Sequence, residues 1–173
     1  MDFKDIPQFT RDGNYRVNVS WNYLEEALAG YQDRKGTACL DLEPDFQRGH
    51  VWKESNQRAF VEHVLKGGMG SKEIRFNCVG WMSDFRGPFV IVDGKQRLEA
   101  ARKFLRNELK VFGHYFKEFT GSMRMVRTDF IFNINDLATR KEVLQWYLDI
   151  NTGGVVHTPE EIRKVRELLA KEQ

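Results

Sequence analysis

The run Phe89-Val-Ile-Val-Asp93-Gly94-Lys95-Gln96-Arg97-Leu98 constrains the chain more than any other. Four consecutive β-branched or aromatic residues read as a buried strand. The strand passes straight through a glycine into an amphipathic helix over 94–107, with Leu98, Ala101, Phe104 and Leu105 on one stripe.

The remaining elements follow from periodicity and punctuation. Tyr15–Val19 alternates as a strand, and Ser20 offers an N-cap for a helix through Trp21–Gln32. A short strand is expected near Ala38–Leu42. A second helix starts at Lys53 or Glu54, turns Phe60, Val61, Val64 and Leu65 inward, and ends at Gly67-Gly68. Ile74–Trp81 and Phe89–Val92 read as β-rich runs separated by Ser83–Pro88, which contains turn residues. Further strands are expected at Val111–Phe119 and Thr128–Ile134, and a helix at Leu137–Leu148. Thr158-Pro159-Glu160-Glu161 is a capping box that opens a helix to about Ala170. These elements predict an α+β fold with a mixed sheet. It is expected as a single domain over residues 1–173, loose over 1–14 and helical from 137 to 173.

Thirteen Phe and four Trp in a chain that is 41% hydrophobic supply a core and argue against disorder. Net charge is only +2. Between Gly94 and Arg127, however, nine Lys/Arg stand against three Glu, either a solvated face or a contact surface for DNA. Cys39 and Cys78 lack paired spacing and read as small core residues in a reducing compartment. No apolar stretch approaches membrane-spanning length, and the expected location is the cytoplasm.

Three constellations carry the functional expectation. At the first, the unpaired N–H groups opening the helix attract phosphate, Gly94 lets the backbone approach a ligand, and Lys95 and Arg97 add charge. Asp93 either organises a metal or a ribose hydroxyl, or simply caps the helix with Gln96. At the second, Gln47 and Arg48 of Pro44-Asp-Phe-Gln-Arg-Gly-His-Val-Trp52 are planar donors that suit a phosphate or carboxylate. The competing reading makes Phe46, Val51 and Trp52 packing anchors and pairs Arg48 with a structural acid. The third, Asp149-Ile-Asn151-Thr152-Gly153-Gly154, is either a plain helix end or a place where Asn151 and Thr152 reach a ligand.

Taken in order, Gln47-Arg48-Gly49-His50-Val51-Trp52, Asp93-Gly94-Lys95-Gln96-Arg97 and Ile150-Asn151-Thr152-Gly153-Gly154 resemble the loop with QR followed by Trp, the DGQQR box and the INTGG turn of the GmrSD restriction endonuclease N-terminal domain family. The resemblance runs from about residue 37 to the C-terminus. It implies a ParB/sulfiredoxin-like mixed sheet with surrounding helices and a C-terminal helical extension. It also implies a nucleotide site carried by Asp93, Gln96 and Arg97, with Gln47 and Arg48 closing over it and Asn151 and Thr152 in reach. The function implied is nucleotide-phosphate binding with weak NTPase activity, coupled to restriction or another DNA-processing system and a nuclease partner. Asp93 and Gln96 would then position water or Mg²⁺ beside a nucleoside triphosphate, with Asp93 as the metal ligand. Lys95 departs from the glutamine usual in the family and adds a cation at the helix start.

Other activities find less support. Sulfiredoxin-type repair needs a thiol on the turn, and residues 94–97 hold none. His50, His63, His114 and His157 are scattered without metal-ligand spacing, and no nucleophile elbow or Walker loop is present. The alternatives are a non-enzymatic DNA- or protein-binding module using the basic stretch 94–127, and a stand-alone ParB-like nuclease.

Overall fold

The computed structural model describes residues 15–32, 40–47, 51–81, 83–152 and 159–172, with 2, 5, 6, 9, 10, 13 and 49. Its strands are β1 (Tyr15–Ser20), β2 (Leu40–Asp41), β3 (Glu73–Cys78), β4 (Phe89–Asp93) and β5 (Asp129–Asn135). Its α-helices are α1 (Leu24–Gln32), α2 (Glu54–Leu65), α3 (Lys95–Leu105), α4 (Arg140–Thr152) and α5 (Pro159–Lys171). The strands form one mixed sheet in the order β1-β5-β3-β4-β2. β3 pairs antiparallel with β4 and parallel with β5, while β1 closes antiparallel on β5 and β2 runs parallel to β4.

Alternation along the strands divides the core in two. Ile74, Phe76 and Cys78, Phe89 and Ile91, and Phe130, Phe132 and Ile134 all face α1, α2 and α3. Phe76 sits between Phe89 and Phe132, with ring centroids 4.7 and 4.9 Å away. The opposite side takes Val90 and Val92 of β4, covered by Val143, Leu144, Trp146 and Tyr147 of α4 and Val165 of α5. Beside them the second side turns polar. Buried Asn77 holds Leu137 both ways, donating to its carbonyl at 3.1 Å and accepting from its amide at 2.9 Å, which satisfies a costly buried amide.

Helix ends explain several boundaries. After α2, Gly67 N–H reaches Val64 O and Gly68 N–H reaches His63 O, both at 2.9 Å, with Gly67 at φ +89°. That is the Schellman closure expected of the glycine pair. α3 closes the same way through Asn107 at φ +62°.

Three expectations are corrected. Ser20 caps nothing with its side chain, and Trp21–Tyr23 form a 3₁₀ turn before α1. The helix expected from Leu137 begins at Arg140. Val111–Phe119 is not a strand. Val111 and His114 exchange two hydrogen bonds around Phe112 (φ +51°) and Gly113 (φ +83°), and Phe116–Glu118 then form a 3₁₀ turn. A two-residue reversal with both φ positive competes directly with extension. Thr158 and the Gly153-Gly154 turn lie outside the described residues.

Candidate functional site

β4 ends at Asp93, and Gly94 at φ +92° is the N-cap of α3. A Cβ on Gly94 would lie 2.6 Å from Ile74 Cδ1 and 3.2 Å from Glu73 O. The position therefore demands glycine both for its left-handed backbone and for close packing on β3. The first intrahelical bond is Leu98 N–H to Gly94 O at 2.9 Å. The amides of Lys95, Gln96 and Arg97 thus precede the helical ladder, at the positive end of the dipole.

Asp93 does not cap the helix. Its Oδ2 accepts from Arg97 Nη2 at 2.8 Å and from Arg75 Nη1 at 3.1 Å. Arg97 Nη2 also donates to Glu73 O at 2.9 Å, and Arg75 Nη2 to Glu73 Oε2 at 3.1 Å. The Arg97 Nε is buried without a hydrogen-bond partner, an orphan donor of the kind that a ligand or bound water usually satisfies. Lys95 is only 6% exposed and pairs with the largely exposed Glu43. Its charge is spent on anchoring the segment after β2.

Gln96 is equally committed. Its Oε1 accepts from the amides of Val51 and Trp52, at 3.2 Å each, and its Nε2 donates to Gly49 O at 3.1 Å. Gln47 Nε2 donates to Ile91 O at 2.9 Å. The loop ahead of α2 is thereby tied to β4 and the start of α3 at two points. Phe46 is buried against Tyr147 and Trp52 packs on Phe60, as anchors should, but Val51 is half exposed. Arg140 fixes the same loop from behind through both oxygens of Asp45 at 2.8 Å. Arg48 lies outside the described residues.

Beside this cluster, where β3 and β5 begin and β4 ends, is a cavity of about 420 Å³. Asp93 and Arg97 line it together with Lys72, Glu73, Arg75, Arg127 and Asp129. Lys72 is buried, donates to Arg127 O at 2.7 Å and approaches Asp129 at 3.7 Å. Arg127 is exposed and has no carboxylate partner among the described residues.

Sequence reasoning thus located Asp93 and Arg97 but missed Lys72, Arg75, Glu73 and Asp129. Arg75 did leave a signal, as a charge set between Ile74 and Phe76 inside an apolar strand. The third motif is not brought into this cluster by any hydrogen bond among the described residues. Asn151 Nδ2 donates to Tyr147 O at 2.7 Å, within its own helix, and the Thr152 side chain is not described. The expected basic surface is likewise divided. Arg102 and Arg106 converge on Glu25 (2.8 and 2.7 Å), while Lys95 and Arg97 are paired as above.

The model of the GmrSD restriction endonuclease N-terminal domain matches residues 24–130, well over half of the chain. The chain belongs to that family. No curated protein and no solved structure matches it. The matched region holds the Gln47 loop, the Asp93–Arg97 turn and every charged residue that lines the cavity. Membership associates the chain with restriction-endonuclease systems, and its mixed α+β sheet agrees with the fold the three motifs imply. Among the described residues of this GmrSD-type domain, no helix is long and apolar enough to cross a membrane, and no group of three His, Cys, Asp or Glu could hold a metal ion.

Proposed function

We propose that this domain binds the phosphates of a nucleoside triphosphate in the cavity beside α3, and that occupancy of the cavity governs a DNA-cleaving partner of the restriction system. The observation that carries the reading is the convergence of Lys72, Arg75, Arg97 and Arg127 on one cavity next to the opening of α3. Four cations outnumber the three lining acids, Glu73, Asp93 and Asp129. A phosphate chain complements that excess, and bidentate guanidinium contacts suit its oxygens. The volume falls within the range of small-ligand pockets.

Two guanidinium groups on one oxygen of Asp93 oppose a bare divalent cation there. Mg²⁺ would instead arrive on the nucleotide, held by phosphate oxygens and at most one carboxylate, as this ion prefers. Gln96, bound to three backbone groups of the preceding loop, acts in this reading as a latch that holds that loop against the start of α3. Hydrolysis requires a group that orients water, and Asp93 is the candidate by position.

Calorimetry with a non-hydrolysable triphosphate and Mg²⁺ tests the reading. Binding is expected for the parent. Arg127→Ala, an exposed position that leaves the fold intact, should weaken it about tenfold, as for loss of one charged hydrogen bond. Negligible heats for the parent, or an unchanged affinity in Arg127→Ala, would sink it.

A further inference from the structure

We propose that residues 112–126 form the docking groove for an acidic amphipathic helix of another protein, a surface separate from the phosphate cavity. Leu65, Phe104 and Phe116 give the groove, of about 710 Å³, an apolar floor, and Met123 and Met125 line it too. No carboxylate lines it. Phe112, Phe119, Met125 and Val126 are exposed within fifteen residues of chain, Met125 to 87%. A soluble surface rarely gathers so many without a partner.

The backbone invests strain to make this display. Phe112 is a bulky residue at φ +51° in the reversal that joins Val111 to His114, and its amide is held by Glu62 Oε1 at 3.1 Å. An aromatic residue in the left-handed region is an outlier, and here it lifts the ring into the open.

Charge identifies the occupant. Lys66 Nζ lies 5.3 Å over the Phe112 ring, Lys117 lines the groove, and Arg124 between the two lining methionines donates to Tyr23 OH at 2.9 Å. None of the three has a carboxylate partner among the described residues. Glu62 accepts from Phe112 N–H and Glu118 from Tyr115 N–H at 2.6 Å, and neither forms an ion pair with these cations. A groove with an apolar floor and unmatched cations at its edge complements a helix carrying apolar residues at i, i+3/i+4 and i+7 between acidic ones.

Shape and chemistry set the other occupants aside. A membrane requires a convex apolar face, and this one is concave. Single-stranded nucleic acid stacks on free ring faces, whereas Phe104 and Phe119 are already packed edge to face at 5.7 Å and Lys66 covers Phe112. A second copy would have to offer such a helix, yet the apolar stripe of α5, with Ile162, Val165, Leu168 and Leu169, is used in its own core. Methionine side chains suit an adaptable helix-binding surface.

The test uses the full chain and a labelled twenty-residue peptide with leucines at helical spacing flanked by glutamates. Its twin carries lysine at every glutamate. Fluorescence anisotropy is expected to show saturable binding of the acidic peptide and at least about tenfold weaker binding of the twin. Met125→Glu and Lys117→Glu should each reduce affinity about tenfold, in the range of interface hot spots, with the circular dichroism spectrum unchanged. The proposal is overturned if neither peptide binds, if both bind equally, or if Met125→Glu leaves binding unaltered. It is equally overturned if the same substitutions abolish binding of a single-stranded oligonucleotide or of anionic phosphatidylglycerol vesicles instead, or abolish a concentration-dependent dimer seen by sedimentation.

Discussion

In the cavity beside α3, Arg75 and Arg97 share Asp93, and Lys72 is held by a carbonyl and by Asp129. Around the 112–126 groove, Lys66, Lys117 and Arg124 meet no acid among the described residues, although Lys117 and Arg124 share a basic stretch with Arg97. The first region is a polar network closed largely on itself, which holds its geometry before any ligand arrives. The second is an apolar surface whose charges wait for a partner. A part-buried network gains most from internal partners because its members have little access to water; exposed cations face no such requirement. A substitution in the cavity should therefore cost stability and binding together, whereas one at the groove should cost binding alone.

The sharpest break of that contrast is Arg97→Ala. Removing the guanidinium leaves Glu73 O and part of Asp93 unpaired, so unfolding free energy should fall by about 3 kcal/mol and nucleotide binding should disappear. Urea denaturation checks the first expectation; a loss below 1 kcal/mol would mean the network is not pre-organised. Gly94→Ala should follow at about 2 kcal/mol, because it combines φ +92° with a 2.6 Å approach to Ile74. Gln96→Ala frees the 49–52 loop and should cost about 1 kcal/mol. Hydrogen exchange at Val51 and Trp52, the amides it accepts from, should rise more than elsewhere.

Smaller still is the effect of Glu25→Gln, which unhooks Arg102 and Arg106. Burial pushes the Glu25 carboxyl up, but the hydrogen bonds and charges of the two arginines outweigh it and hold it below the ordinary carboxylate range. A lowered folded-state pKa contributes stability that is present above the unfolded value and lost as pH falls through the folded one. The difference in thermal midpoint between parent and variant should therefore be full at neutral pH, begin to shrink as pH falls through the ordinary carboxylate value of about 4.3, and vanish only below the lowered folded-state value. A constant difference across that window would assign it to packing instead. At the far end stands Met125→Glu, expected to change stability by less than about 0.5 kcal/mol; a larger loss would show that the groove belongs to the core.

Much of the architecture was legible because it depends on local pattern. Alternation placed β1, runs rich in β-branched and aromatic residues placed β3, β4 and β5, and the apolar stripes placed the helices, while Gly67-Gly68 marked the end of α2. Val111–Phe119 misled because its apolar content matches a strand, and only the pairing of Val111 with His114 reveals the reversal. Of the site, Asp93, Gly94 and Arg97 stood out through one contiguous motif. Lys72 and Arg75 did not, since they lie about twenty residues away, just before and within β3, whose register decides their neighbours. Gln96 was legible as a residue of interest but not in its role, which depends on a loop 44 to 47 residues earlier in the chain.

By itself the sequence determined the family, the elements and the strand–glycine–helix turn, all set by short-range sterics and hydrophobic period. Only the tertiary structure decided which charges are spent and which remain available. Arg97 and Lys117 are both cations on a basic stretch, but one shares Asp93 with Arg75 and reaches Glu73 O on a neighbouring strand, and the other lines an apolar groove. That distinction depends on desolvation and on how strands and turns separated in the chain come together, which no local pattern encodes.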